Sequence, residues 1–231
     1  MRLIGITGGI CSGKSTFCGE LENLGKKVIY LDKVAIDILN TNKVAQRVLS
    51  EKFSPDLFTD GVYNKQYFID NILNERYKIT PFNKELGFFI KKFLLELPKQ
   101  EDDIFVESAI IFETEIHTIF DHITCIYCPP DTQDERLSTR GYSTDFIKNI
   151  KRVQINTEIK KYISDSFYDF TEDFRGFYEK TYKLIPNKYV WDKVLMFDTT
   201  TCYTLVEAYG GSPTDKTPTM YYPKRKYLDK E

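Results

Sequence analysis

The octapeptide Gly8-Gly9-Ile10-Cys11-Ser12-Gly13-Lys14-Ser15 constrains this chain more than any other stretch. It fits the pattern G-x-x-x-x-G-K-[ST]. Arg2 to Thr7, just before it, alternates and is rich in β-formers, which predicts a strand. After it, Lys14 to Leu24 places Phe17, Leu21 and Leu24 at helical spacing, with Gly25 just beyond the predicted end. Glycines let the backbone curl until several N–H groups point at one phosphate. The helix that follows turns its positive N-terminal end on the same anion. In that geometry Lys14 reaches the β- and γ-phosphates, and Ser15 offers a hydroxyl to Mg²⁺. A chance match occurs in on the order of one chain in a hundred of this size. A Gly-rich turn without a ligand is the alternative reading. The strand before the motif and the helix after it argue against that alternative.

Lys27 to Leu31 reads as a second strand, completing a strand–loop–helix–strand unit of the kind that builds parallel sheets. From Lys33 to Leu97 the periodicity is helical, with stripes such as Val34, Ile38 and Leu39, and Phe68, Ile69, Ile72 and Leu73. Thr80-Pro81 is expected to break the pattern, which resumes over Leu86 to Leu97. Ile104 to Glu107 and Ile123 to Tyr127 are predicted strands, and Pro129-Pro130 ends the latter. A helix is expected from Ser143 to Ile163. Phe167 to Tyr182 is aromatic and acidic, with helix as its expected form; Lys193 to Phe197 reads as a last strand, and the chain from Gly210 as a loosely packed tail.

A chain of 231 residues suits one large domain with inserts. Lys and Arg total 32 against 34 Asp and Glu, a balance that argues against a nucleic-acid coat. Apolar runs such as Ile110-Ile111-Phe112 fall far short of the roughly 20 residues that span a bilayer. Met1-Arg2-Leu3-Ile4-Gly5 runs straight into a strand pattern, so no signal peptide is expected. Five cysteines at irregular spacing point to a reducing cytoplasm. The thiols of Cys125-Ile126-Tyr127-Cys128 should diverge from a strand, and a zinc site would need two further ligands. His117, His122 and the Lys224-Arg225-Lys226 cluster read as surface features. The Phe167 to Tyr182 stretch reads as core, with an adenine or pantetheine clamp as the alternative.

Two further features carry chemistry. Asp32 is expected at the end of the second strand, and in an open parallel sheet the carboxyl ends of strands face the ligand. A carboxylate there can accept a proton from an attacking hydroxyl; alternatively it caps the helix that begins at Lys33. Arg136 and Arg140 lie four apart, on one helix face, with Lys151 and Arg152 further on. Two guanidinium groups on a flap can close over ATP phosphates; the alternative is a solvated basic face.

Read together, these stretches resemble the dephospho-coenzyme A kinase family. Ile4 to Thr16 is similar to its phosphate loop almost throughout, with Cys11 where members usually carry Gly. Asp32-Lys33-Val34-Ala35 resembles the second half of an Asp-x-Asp-x-hydrophobic-Ala motif. Gly61-Val62-Tyr63-Asn64 is similar to a further signature, and Ser108-Ala109-Ile110-Ile111-Phe112-Glu113 to Pro-Leu-Leu-Phe-Glu. Gln133 to Arg140 matches the lid motif Gln-x-x-Arg-Leu-x-x-Arg; Gln154 and Ser164-Asp165 fall where the rest of the lid is expected. The likeness covers about the first 165 positions.

The resemblance implies a three-layer α/β/α P-loop kinase fold with a parallel sheet, a helical acceptor-binding insert and a lid. Residues 1–33, 100–130 and about 190–209 would form the core, 34–99 the insert and 131–165 the lid, with 210–231 as the tail. It also implies transfer of the ATP γ-phosphate to the 3′-hydroxyl of dephospho-coenzyme A, with Mg²⁺. Gly8, Gly9, Ile10, Cys11, Ser12, Gly13, Lys14, Ser15, Thr16, Arg136 and Arg140 would bind the nucleotide, and Ser15 the metal. Lys14, Arg140 and Asp32 would act in transfer, Asp32 as the base or orienting group. Thr80, in place of a usual His, would sit with Asp32 and Glu113 on the acceptor side. The departures fall mainly there: Tyr30 replaces the first Asp of Asp-x-Asp, and Ala109 replaces a Pro. Two rivals share the nucleotide site: a (deoxy)nucleoside monophosphate kinase, and a nucleotide-binding regulator without catalysis.

Overall fold

The computed structural model describes residues 1–98, 103–141, 143–183, 189–191 and 225–227. Its centre is a five-stranded parallel sheet in the order β2-β5-β1-β6-β7. The chain enters it at β1 (Leu3–Thr7), crosses over through α1 (Lys14–Asn23) and returns as β2 (Lys27–Tyr30). An excursion of about 70 residues follows before β5 (Ile104–Glu107), which fits between β1 and β2 with Leu3 opposite Ile104 and Tyr30 opposite Glu107. β6 (His122–Ile126) pairs on the other side of β1, with Ile4 opposite His122.

The excursion holds α2 (Leu31–Thr41), α3 (Lys43–Lys52), the small hairpin β3 (Phe58–Thr59) and β4 (Val62–Tyr63), α4 (Lys65–Phe68) and the long α5 (Arg76–Leu95). Asn42 starts α3 as an N-cap, its side chain accepting from the N–H groups of Val44 and Ala45. Pro81 does not break the helical run: it lies inside α5, which continues through it. The helix begins only at Arg76, so Pro81 sits within its first two turns. A missing N–H costs little in the first turn and more beyond it. Here the apolar face of Ile79, Phe82, Leu86, Phe89, Ile90 and Leu94, all buried, outweighs that cost.

Beyond β6, the segment expected to be a lid is three helices: α6 (Pro130–Thr139), α7 (Thr144–Val153) and α8 (Thr157–Ile163). The single helix expected over Ser143 to Ile163 is thus two. Asn156 caps the second, its side chain accepting from the Glu158 N–H, and so ends the run between them. The fifth strand is β7 (Ser166–Tyr168), overlapping the start of the Phe167 to Tyr182 stretch expected to be helical; α9 (Phe174–Tyr182) supplies the helix. β7 is specified by its neighbour rather than by its own pattern. Thr124 pairs with Ser166, the His122 Nε2 and Ser166 Oγ lie 2.8 Å apart, and Tyr127 donates its N–H to the Tyr168 carbonyl. The strand expected over Lys193 to Phe197 lies outside the described residues. Within the expected tail, Arg225–Tyr227 forms β9, antiparallel to β8 (Tyr189–Trp191), in a separate two-stranded sheet.

The three inner strands β1, β5 and β6 are buried on both faces, and the edge strands β2 and β7 are partly exposed. Ile4, Ile6, Phe105 and Ile126 face a layer containing Phe17, Cys18 and Leu21 of α1 and Phe177, Tyr178 and Tyr182 of α9. Leu3, Ile104, Val106 and Ile123 face the other layer, continuous with the core of the helical insert. The result is the expected three-layer α/β/α arrangement.

Candidate active site

The phosphate loop bridges the carboxyl end of β1 and the start of α1. Its curl needs two left-handed turns of backbone, at Gly8 (φ 147°) and Gly13 (φ 103°). Cys11 also stands in the left-handed region, at φ 58°, without a glycine's freedom. The hydroxyls of Thr7 and Ser12 are buried within or beside this turn and have no hydrogen-bond partner among the described residues. Buried polar atoms are normally satisfied, so two unpaired hydroxyls here fit an oxygen-rich ligand. Ser15 and Thr16 are exposed in the first turn of α1.

The lid segment rests directly on this loop. A Cβ at Gly9 would lie 2.3 Å from Thr157 Oγ1 and 2.8 Å from Gln133 Oε1, so only glycine admits their approach. Gln133 Nε2 donates to the Cys128 carbonyl at 2.7 Å and to Thr157 Oγ1 at 3.2 Å, joining α6 to α8. Arg136 donates from Nη1 to the Cys11 carbonyl at 3.2 Å. Arg140, one turn on, is the exposed C-cap residue of α6. The structure therefore brings Arg136 to the loop and leaves Arg140 displayed on the same helix.

Lys14 folds over the loop, its Nζ donating to the carbonyls of Gly9 (2.9 Å) and Gly8 (3.3 Å). It also stands 4.0 Å from Glu107 Oε1, at the carboxyl end of β5. Burial lowers the Lys14 pKa; Glu107 opposes that shift, the charge of Lys160 adds to it, and Asp32 opposes it. Burial raises the Glu107 pKa, offset by Lys14 and reinforced by Asp32. Lys14 and Glu107 thus form a close pair, and the charge of Asp32 acts on both. The position of Asp32 differs from expectation. β2 ends at Tyr30, and Asp32 is exposed in the first turn of α2, where Tyr30, not Asp32, occupies the cap position without a capping side chain. Asp32 is therefore neither a strand residue nor the N-cap.

Tyr30 has its pKa pushed up to about 12 by burial, with Cys18 and Glu22 of α1 adding to the shift. Its partner in register on β5 is Glu107, which sequence patterning missed. The signal was present, as a charged residue ending the otherwise apolar Ile104-Phe105-Val106 run.

Glu113 forms a second cluster. It pairs with Lys160 at 2.7 Å, both side chains being almost wholly buried, and accepts from the Ile155 N–H at 2.8 Å. Lys160 also donates to the Ala109 carbonyl. Lys160 and Thr157 are two more residues that sequence patterning did not single out. Thr80 is half-buried in α5, whose packing partners include α2, α3 and α7.

The model of the Dephospho-CoA kinase family matches residues 2–172. The chain belongs to this family. Curated relatives of the same name agree. A dephospho-CoA kinase of Carboxydothermus hydrogenoformans is 31% identical over 176 residues, covering 73% of this chain and 85% of that one. One from Enterococcus faecalis is 28% identical over 149 residues, covering 62% and 75%. In fold, the chain is similar to a crystal structure of a Thermus thermophilus protein, with TM-score 0.61 and 20% identity over 80% of this chain and 98% of that one. Its phosphate-loop motif and parallel sheet are those of a P-loop kinase, and the chain is a phosphotransferase by its family membership. No helix among the described residues is long and apolar enough to cross a membrane.

Proposed function

We propose that this chain transfers the γ-phosphate of ATP to the ribose 3′-hydroxyl of dephospho-CoA, giving CoA and ADP. The observation that carries the reading is the approach of Lys14 Nζ to Glu107 Oε1, at 4.0 Å beside the phosphate loop, in a chain of this family. The loop backbone from Gly8 to Thr16, with Ile10, Cys11, Ser12 and Gly13, cradles the phosphates. Lys14 and the lid arginines Arg136 and Arg140 neutralise charge as it moves toward the leaving ADP. Asp32 orients the hydroxyl and accepts its proton as the new oxygen–phosphorus bond forms and the bond to the β-phosphate oxygen breaks. Little covalent work falls to the protein, so positioning carries much of the rate.

Mg²⁺ is the expected ion, and it neutralises phosphate charge when bound. The Ser15 hydroxyl, next to Lys14 in sequence, and the Glu107 carboxylate, 4.0 Å from Lys14 Nζ, are hard oxygen donors that would hold it, and Mg²⁺ typically takes only one or two protein oxygens beside phosphate and water. Glu107 thus supplies, from the neighbouring strand, a carboxylate at the sheet end where Tyr30 stands in place of an Asp. Residues 34–99 are assigned to the acceptor and 131–165 to the lid, with Thr80 and Glu113 on the acceptor side. β7 completes the core formed by 1–33 and 100–130. The reducing cytoplasm suits the free thiols of Cys11, Cys18, Cys125 and Cys128.

The test is product identity. The purified chain, given Mg-ATP and dephospho-CoA, should release ADP and form a product whose added phosphate lies on the 3′-oxygen, read by phosphorus NMR. Phosphate appearing elsewhere, or none transferred, would falsify the assignment.

A further inference from the structure

The phosphate loop follows β1, the middle strand of the sheet. Glu107 ends β5 and Asp32 follows β2, and both strands lie on the same side of β1. A triphosphate whose γ end points at that side must lead its nucleoside the other way, over the carboxyl ends of β6 and β7. Among the residues that follow these strands is Phe170, two positions past the end of β7.

Phe170 is unusual in three independent respects. Its backbone is left-handed, at φ 65°, which bulky side chains rarely adopt and which concentrates at functional sites. Its ring presses on the phosphate loop itself: a Cβ at Gly13 would lie 2.7 Å from Cε2 and 2.9 Å from Cζ of the ring. It is 40% exposed, like Phe167 at 43%, whereas Tyr168, Phe177, Tyr178 and Tyr182 of the same aromatic stretch are buried; of the two exposed rings, Phe170 is the one against the loop. The ring is also well supported. Tyr168 meets it edge-on at 4.8 Å and is itself packed on Phe17, Phe174 and Phe177. Asp169 holds the turn, accepting from the Thr171 N–H at 3.1 Å and from its hydroxyl at 2.6 Å. Core packing does not explain an aromatic ring held in a strained turn, against a glycine, with two-fifths of its surface outside.

We propose that the Phe170 ring is the platform on which the base of the phosphate donor stacks, so that the donor is selected by its triphosphate and not by the edge of its base. The inference rests on the reading of the loop as a nucleoside-triphosphate site. Phenylalanine has no donor or acceptor with which to read a base edge, and every base has a π-face to offer. The phosphates are held instead by Lys14, the loop amides and the lid arginines, which do not distinguish one base from another.

Calorimetric binding of ATP, GTP, CTP and inorganic tripolyphosphate tests this without any acceptor, so it stands or falls separately from the dephospho-CoA assignment. The wild-type chain should bind GTP and CTP within about tenfold of ATP. Phe170→Ala should weaken all three nucleotides by ~5- to 150-fold, the range typical of a lost base–aromatic stack, and leave tripolyphosphate affinity unchanged. Phe170→Tyr, which keeps the ring, should restore nucleotide binding. The proposal is overturned if Phe170→Ala weakens tripolyphosphate as much as ATP, because the ring then only props the loop. It is also overturned if Phe170→Ala leaves ATP binding intact, or if the wild type prefers ATP over GTP and CTP by more than about a hundredfold.

Discussion

Glu113 and Lys160 form an ion pair at 2.7 Å in which the side chains are 2% and 0% exposed. The pair joins two stretches far apart in sequence: the turn after β5, through Glu113 and the Ala109 carbonyl, and the end of the lid, through Lys160 and the Ile155 N–H. An ion pair this deep is weak evidence of net stabilisation, but removing one partner strands the other charge without water. Lys160→Met should therefore cost about 3–5 kcal/mol of unfolding free energy. The double variant Glu113→Leu/Lys160→Met should cost clearly less than the sum of the two single changes. Urea unfolding of the four proteins gives the coupling directly; simple additivity would show that the two charges do not depend on each other.

Asp32 lies exposed in the first turn of α2, so little of the fold rests on it. Asp32→Asn should lower kcat by ~10²- to 10⁴-fold, the usual scale for general base catalysis. Its melting temperature and ATP affinity should stay close to wild type. A variant with unchanged kcat would remove Asp32 from the chemistry.

Glu107 makes stability depend on pH in a defined direction. Burial raises its folded pKa, helped by Asp32 and opposed by Lys14. Its stabilising contribution is therefore fully present below the unfolded carboxyl pKa, about 4.3, and is lost as pH rises through the folded value. Once ionised, the buried carboxylate is a net cost. Glu107→Gln should gain stability relative to wild type as pH rises above about 4.3, then level off, while Mg²⁺-dependent turnover falls. Chemical denaturation at a series of pH values checks this; a difference independent of pH would contradict it.

Cys11 holds a left-handed backbone at φ 58°. For an L-residue that conformation costs roughly 1–2 kcal/mol, partly offset in a Cys11→Gly variant by the greater freedom of glycine when unfolded. The net gain from Cys11→Gly should be about 0.5–1 kcal/mol, read as a raised urea midpoint. Loss of stability would mean that the Cys11 side chain contributes more packing than its half-exposed setting suggests.

The parts of this structure visible in the sequence were those with local causes. The alternation of Leu3 to Thr7, the glycines of the loop and the stripe of Phe17 and Leu21 each act within a few residues. The less legible parts depend on distant partners. Ser166–Tyr168 becomes a strand because β6 offers it an unpaired edge, and three aromatic-rich residues carry no period of their own. Pro81 reads as a breaker until the buried face of α5 is known. The end of α7 lacks Gly or Pro, and only Asn156 marks where α8 starts. In the site, Lys14 and Arg136 announced themselves by motif. Lys160 looked like one of several surface lysines, and only the fold buries it against Glu113.

The most direct test of the central claim compares acceptors. ADP release from Mg-ATP would be followed with dephospho-CoA and, separately, with a panel of nucleoside and deoxynucleoside monophosphates. The account predicts a kcat/KM for dephospho-CoA at least about a hundredfold above that of every nucleotide, a difference of ~2.7 kcal/mol in transition-state stabilisation. Turnover with a nucleoside monophosphate and none with dephospho-CoA would contradict it, and would make Tyr30, Thr80 and Ala109 the marks of a different acceptor pocket on the same phosphate-transfer core.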